Sequence, residues 1–207
     1  MDKTILNQAN DYYTAKLLEH GETSLGLDWN SKAAQTIRFD QITKIIQDPS
    51  RHFSICDYGC GIGDYNDYLA ERFSSYDYYG LDISEKMIET AKRRHPSAQF
   101  SVTFEPTTCF DYLVSSGIFN VRQSVSDADW LNYILESINL FHRYTKRGFA
   151  FNCLTKYSDE DHKKDYLYYA DPLFLFDYCK TKFSKNVALL HDYKLYDFTI
   201  LVRKEDI

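Results

Sequence analysis

The sequence predicts an α/β fold: a seven-stranded, mostly parallel sheet with helices on both faces, its last strand antiparallel, preceded by an amino-terminal helical extension. Three observations predict it. Seven short apolar runs bounded by turn residues recur after residue 50, helical patterns fill most of the intervals between them, and the last two runs lie too close together for a helical crossover. Strands regularly separated by helices build parallel sheets covered on both faces.

Taken in order, a first helix spans Ile5 to His20 and stops at Gly21, a residue suited to a left-handed C-terminal cap. A second starts behind Ser31, a good N-cap, and carries Ala34, Ile37, Ile42 and Ile45 on one face until Asp48-Pro49. Strands are expected at Phe53 to Tyr58, Tyr78 to Leu81, Gln99 to Val102, Phe110 to Ser115, Gly148 to Leu154, Val187 to Leu190 and Phe198 to Val202. Helices are expected at Tyr65 to Phe73, Glu85 to Arg94 after the cap Ser84, Asp127 to Tyr144, and Pro172 to Phe183, where proline follows the capping Asp171. No repeat or Pro/Gly/Ser-rich linker divides the chain, so residues 1–207 read as one domain, with residues 1–50 a helical cap and 51–207 the core.

Across 207 residues, 30 acidic side chains outnumber 24 basic ones, a net charge of -6 that argues against a nucleic-acid footprint and for a small-molecule partner. No apolar run resembles a signal peptide or a membrane span, so a cytoplasmic protein without a membrane partner is expected, as monomer or homodimer. Five cysteines (Cys56, Cys60, Cys109, Cys153, Cys179) form an odd set without Cys-x-x-Cys spacing. They read as reduced thiols, and no metal site is expected.

The chemistry concentrates where the first strand runs into Asp57-Tyr58-Gly59-Cys60-Gly61-Ile62-Gly63 before a helix. Ligands of parallel sheets bind beyond the strands' carboxyl ends, and alternating glycines let backbone and ligand approach closely. A dinucleotide fingerprint would require glycine at position 64 or 66, yet these are Asp64 and Asn66. Asp57 and Asp64 would also repel a pyrophosphate. Two carboxylates suit a cation instead, and S-adenosylmethionine, with its ammonium and sulfonium, is such a ligand. Asp82 closes the next strand, 25 residues after Asp57, where a carboxylate accepts both ribose hydroxyls.

Ile55 to Gly63 together with Tyr79-Gly80-Leu81-Asp82-Ile83-Ser84 resembles the class I S-adenosylmethionine-dependent methyltransferases, whose fold is Rossmann-like. The segments Phe110 to Asn120, Tyr168 to Pro172 and Tyr196 to Val202 are similar to a bacterial small-molecule branch met in biosynthetic clusters. The resemblance implies that Asp57, Gly59 and Gly61 hold the methionine end within a turn completed by Tyr58 and Cys60. It further implies Asp82 on the ribose, Ile83 on one face of adenine, Gly117 and Ile118 as the floor beneath the methyl donor, and a basic residue, here Arg38, on the methionine carboxylate. Trp29 joins the cofactor side. Relatives usually have a longer loop after the third strand to read the adenine amino group; here only Thr103 to Cys109 remains, with Glu105 as the acidic match.

Methyl transfer requires an acceptor in line with the sulfonium, so the protein mainly aligns two bound molecules. Tyr12, Tyr13, Asn152 and Tyr157 are the expected acceptor-side residues; tyrosines offer flat apolar walls with a hydroxyl that can aim a polar group. His191, in the turn between the last two strands, is the expected general base for a hydroxyl acceptor, with Tyr168, Tyr169 and His162 behind it. The expected activity is methyl transfer to a hydroxyl or amine of a small polar metabolite such as a sugar or sugar nucleotide. A noncatalytic S-adenosylmethionine-binding module or partner subunit stays open, whereas an NAD-dependent reductase is opposed by the glycine spacing.

Overall fold

The structure, a computed structural model, describes residues 3–23, 25–29, 31–105, 107 and 109–204. Met1, Asp2 and part of the loop after the third strand (Pro106 and Thr108) lie outside the described residues. Two helices come first, α1 (Lys3–His20) and α2 (Lys32–Thr43), followed by β1 (Phe53–Tyr58), α3 (Asp64–Ala70), β2 (Tyr76–Leu81), α4 (Glu85–Arg94), β3 (Gln99–Ser101) and β4 (Phe110–Ser115). Then follow α5 (Asp127–Arg143), β5 (Thr145–Leu154), α6 (Pro172–Lys182), β6 (Asn186–Leu190) and β7 (Asp197–Arg203).

The strands form one sheet in the order β3-β2-β1-β4-β5-β7-β6. Strands β1 to β5 pair in parallel, and β7 lies antiparallel between β5 and β6. The chain starts at the centre of the sheet with β1, works outward to β3, and returns to the other side with β4. The two halves diverge at β1 and β4, and a crevice opens beyond their carboxyl ends.

Alternation along the strands explains why both faces are covered. Cys56, Leu113, Phe149 and Phe151 point to a core closed by Trp130, Ile134 and Phe141 of α5. Their neighbours Ile55, Tyr112, Val114 and Ala150 point to the opposite core, with Ile42, Tyr65 and Leu69. The helix starts follow their capping residues: Ser31 accepts from Ala34 N, Ser84 from Met87 N, and Asp171 from Leu173 N and Phe174 N. Gly21 closes α1 with φ +64°.

Boundaries differ where tertiary pairing or a tightened last turn prevails over the local pattern. The second helix was expected to reach Asp48, but Ile45 N and Ile46 N bond three residues back, to Ile42 and Thr43, and regular α-helix ends at Thr43. β5 begins at Thr145 rather than Gly148 because Thr145 already pairs with Phe110, across an irregularity in the ladder. Likewise β2 starts at Tyr76, which pairs with Phe53.

One polar interaction ties the helical extension to the sheet. Arg38 of α2 donates from Nε to Asp197 Oδ1 at 3.0 Å and from Nη2 to Oδ2 at 2.6 Å, and both residues are buried. Such a two-pronged pair is rigid, and removing one partner leaves a buried charge. Arg38→Met should therefore cost about 3–5 kcal/mol in urea unfolding, and Arg38→Met combined with Asp197→Leu should recover most of that loss. A single substitution costing under about 1 kcal/mol would show that the pair does not anchor α2.

Candidate functional site

Beyond the carboxyl ends of β1, β2 and β4 lies a cavity of about 240 Å³. Its base is the turn after β1. Gly59 and Gly61 adopt φ +86° and +53°, and a Cβ on Gly59 would come within 2.2 Å of Ile118 Cγ2, so the turn is open only to glycine there. The turn is fastened to the end of β2: Gly59 N and Cys60 N both donate to Leu81 O, at 2.7 and 2.8 Å, and Gly61 N donates to Asp82 Oδ2 at 2.9 Å.

Two carboxylates face the same space. Asp57, at the end of β1, accepts from Tyr78 Oη at 2.7 Å, and burial pushes its carboxyl up to about 7; the tyrosine bond opposes the rise, while Asp82 and Asp64 add to it. Asp82 is also raised by burial, against bonds from Ser84 N and Gly61 N, the former reaching Oδ1 at 2.9 Å. Its role in helix α4 is not the cap, which Ser84 supplies. Each Asp82 oxygen has one backbone donor and keeps further acceptor capacity.

The opposite wall is the turn after β4. Gly117 N donates to Asn152 Oδ1 at 3.0 Å, Asn152 Nδ2 donates to Ser116 Oγ at 2.9 Å, and Tyr13 Oη of α1 donates to Gly117 O at 3.4 Å. Gly117 has φ +91°, and a Cβ there would lie 2.9 Å from the Trp29 ring, over which the Arg38 guanidinium sits at 5.1 Å. Helix α1 covers the crevice, with Leu6, Ala9 and Tyr13 in the cavity wall and Thr14 Oγ1 2.7 Å from Ser84 Oγ.

Every residue expected on the cofactor side stands in this wall: Asp57, Tyr58, Gly59, Cys60, Gly61, then Asp82, Ile83, Gly117, Ile118, Arg38 and Trp29. Tyr13 is there too. The remaining expectations require correction. Tyr12 stands outside the wall and donates instead to Asp28, whose side chain does line the cavity. Asn152 is wholly buried and works from behind, holding the Gly117 turn. Tyr157 is 56% exposed. Tyr168 packs on the core, and Tyr169 Oη accepts from Lys164 N, whereas Tyr166 and Leu167 from the same segment reach the cavity. A bridge between Val121 and Leu167 ties this segment to the turn after β4.

His191 is also displaced. It is exposed in the turn between β6 and β7, its ring 6.1 Å from that of Tyr157 and 6.0 Å from that of Phe198. It is absent from the cavity wall, because β6 is the edge strand and β7 and β5 lie between it and β4. The general-base expectation for His191 therefore falls. Glu105 is exposed and outside the cavity as well. Among the described residues, the one cluster of potential metal ligands is the exposed group Asp159, Asp161 and His162, also outside the wall.

Gln35, Asp28, Met87 and Tyr133 line the cavity without having been singled out. Their contribution is tertiary. Asp28 could have been noticed as an acidic residue beside Trp29, but nothing local marks the other three.

Residues 55–148 match the family model described as "Methyltransferase domain". A Mycobacterium tuberculosis protein described as "Putative methyltransferase Rv1506c" is 49% identical over 155 residues, which cover 73% of this chain and 93% of that protein. Among solved structures, magnesium protoporphyrin IX methyltransferase ChlM from Synechocystis PCC 6803 with bound SAH aligns at a TM-score of 0.64 and 14% identity, covering 99% of this chain and 100% of the other. The N-methyltransferase NodS from Bradyrhizobium japonicum WM9, in complex with S-adenosyl-L-homocysteine, aligns at 0.62 and 12% identity over 96% and 99% of the two chains. At such identities the two structures show the fold alone. Among the described residues no helix is long and apolar enough to cross a membrane.

The Asp57 carboxyl makes stability depend on pH. An ordinary aspartate gives up its proton near 3.8, whereas the native state keeps this one to about 7. Between those values the native state binds more protons than the unfolded chain, so this group's contribution to stability falls as pH rises. Asp57→Asn, which can still accept from Tyr78, should therefore gain in melting temperature relative to the unsubstituted protein between about pH 5 and about pH 8. A difference that stays constant over that range would show that Asp57 ionises normally.

Proposed function

The chain belongs to the class I S-adenosylmethionine-dependent methyltransferases, and on that premise we propose that its cavity holds S-adenosylmethionine and that methyl transfer goes to a hydroxyl or amine of a small polar metabolite, a sugar or sugar nucleotide being the acceptor we favour. The observation that carries the reading is the pairing of a turn closed to side chains at Gly59 with two carboxylates, Asp57 buried and Asp82 half-buried, at the ends of adjacent strands. A ligand with a diol and a positive charge fits that cradle, and a pyrophosphate does not.

When bound, the cofactor supplies an electrophilic methyl group on a sulfonium that is a good leaving group. The protein's part is orientation. Asp82 accepts from the ribose hydroxyls, and Ile83 and Leu81 flank the adenine. Asp57 takes the ammonium, whose positive charge favours the ionised carboxylate that burial opposes. Arg38, already aligned by Asp197, offers its remaining N–H groups to the methionine carboxylate. The Gly117 turn, fixed by Asn152, supports the sulfonium from below.

The acceptor enters between α1 and the segment bearing Tyr166 and Leu167, where Tyr13, Trp29 and Tyr166 give aromatic walls suited to the apolar face of a sugar. With His191 at the sheet edge, Asp28 becomes the acceptor-side carboxylate. Its φ of +58° is uncommon outside glycine, and its carboxylate is held by Tyr12 Oη at 3.0 Å and by Lys16 Nζ at 3.3 Å. Residues 1–50 serve as the cap and 51–207 as the catalytic core of a cytoplasmic enzyme that acts as monomer or homodimer without nucleic acid.

Label from methyl-labelled S-adenosylmethionine should pass to an acceptor from a panel of amino and hydroxyl metabolites that includes sugar nucleotides. Tight cofactor binding with no transfer to any acceptor would favour the noncatalytic module. Asp82→Ala should weaken S-adenosylhomocysteine binding in calorimetry by about 10- to 150-fold, the equivalent of roughly 1.5–3 kcal/mol for charged hydrogen bonds. Unchanged affinity would show that Asp82 only fastens the glycine turn.

A further inference from the structure

Asp28 lines the cavity from the loop between α1 and α2, away from the glycine turn and the strand ends. Its left-handed backbone, φ +58°, is one that an aspartate tolerates better than most side chains. Both carboxylate oxygens are oriented from α1: Tyr12 Oη donates to Oδ2 at 3.0 Å, and Lys16 Nζ lies 3.3 Å from Oδ1. Tyr12 and Lys16 are one helical turn apart, so a single face of α1 aims the group. Burial, and then the charge of Asp28, push the Tyr12 hydroxyl upward, which keeps it a donor. These contacts do not seal the carboxylate. The Asp28 side chain stays 26% exposed, and its oxygens keep further acceptor capacity.

The walls around it are aromatic and acidic. Tyr13, Trp29 and Tyr166 line the same cavity, and its charged side chains among the described residues are four carboxyls, Asp28, Asp57, Asp64 and Asp82, against the single cation Arg38, itself bound to Asp197. This composition bears on which atom is methylated. With a neutral amine, the nitrogen lone pair forms the new bond to the methyl carbon, the electron pair of the C–S bond stays on sulfur, and positive charge passes to nitrogen, which sheds its extra proton to water afterwards. A hydroxyl must lose its proton within the step, and a base poised near neutrality has to take it. Among the described residues the wall holds no histidine, and Asp57, whose carboxyl burial pushes up to about 7, stands at the end of β1 with the glycine turn. A fixed carboxylate and aromatic faces suit a positive charge that appears on the acceptor.

We infer that the acceptor atom is an amine nitrogen and that Asp28 is its specificity-determining residue, accepting one amine N–H while the nitrogen lone pair faces the methyl group. The inference rests on the methyltransferase reading and deepens it, narrowing hydroxyl or amine to amine. An amino group carried by a sugar satisfies both the carboxylate and the aromatic walls.

Methyl-labelled S-adenosylmethionine and the protein, incubated with a deproteinised small-molecule cell extract and with the matched pair glucosamine and glucose, give products in which tandem mass spectrometry locates the label. It should lie on nitrogen. Label on oxygen would overturn the inference and leave the methyltransferase reading standing, whereas no labelled product at all would overturn both. With the labelled amine as substrate, Asp28→Asn, which keeps the left-handed backbone but loses the charge, should lower kcat/KM by about 10- to 100-fold, with S-adenosylhomocysteine affinity in calorimetry within about twofold. Asp28→Gly, equally at ease in that backbone, serves if the asparagine variant does not fold. Tyr12→Phe removes one donor to the carboxylate but keeps its charge, and should lower kcat/KM by less than about threefold. A loss in Tyr12→Phe equal to that in Asp28→Asn would reduce Asp28 to a tie for α1, and a kcat/KM within about twofold of the unsubstituted protein in Asp28→Asn would remove its role altogether.

Discussion

Three hydrogen bonds sew the turn after β1 to the end of β2, and the site depends on them. Gly59 N and Cys60 N share the Leu81 carbonyl, and Gly61 N is held by the Asp82 side chain. These bonds force the left-handed backbone at Gly59 and Gly61, which leaves room above the turn for a ligand and room beside it for Ile118. The pairing of β1 with β2, Asp57 opposite Gly80 and Tyr58 opposite Leu81, brings Asp57 and Asp82 to one cavity wall. A substitution that loosened the turn would therefore disturb the cradle, the charge arrangement and the contact with the β4 turn together.

The electrostatics of the empty cradle and its proposed task are two aspects of one arrangement. Loss of solvation pushes both Asp57 and Asp82 upward, and for Asp57 the charges of Asp82 and Asp64 add to the rise. A ligand that brings a positive charge relieves this strain, so native-state stability and binding are coupled through the same groups. Around them, charge is managed by pairing: Arg38 with Asp197, and Asp64 with Arg94 and Lys32. Both pairs involve residues on or beside α2, so the helical extension is part of the site rather than an appendage. Its Gln35, Arg38 and Phe39 all face the cavity.

Much of this was legible in the sequence because it is local. The glycine turn, the carboxylates that end two strands, the capping serines and the Asp171-Pro172 helix start each signal themselves within a few residues. What was misread depended on distance across the fold. His191 was attractive because turns at strand ends carry chemistry, yet the expectation that the last two strands close the sheet already implied a turn at its edge, and β7 and β5 stand between it and the crevice. Tyr168 and Tyr169 were the more conspicuous residues of their segment, but Tyr166 and Leu167 are the ones that reach the cavity. Gln35 gave no local signal at all. Its place in the wall is set by Asp64, 29 residues later in the chain, to which its amide donates.

The central claim is that one cavity at the β1/β4 divergence holds the whole cofactor in one orientation, ribose toward β2 and amino-acid end toward α2. A crystal structure of the protein with S-adenosylhomocysteine tests it most directly. The ribose hydroxyls should lie within hydrogen-bond distance of Asp82, the ammonium against Asp57, and the carboxylate toward Arg38. Ligand density outside this cavity, or a reversed molecule with adenine against α2, would contradict it.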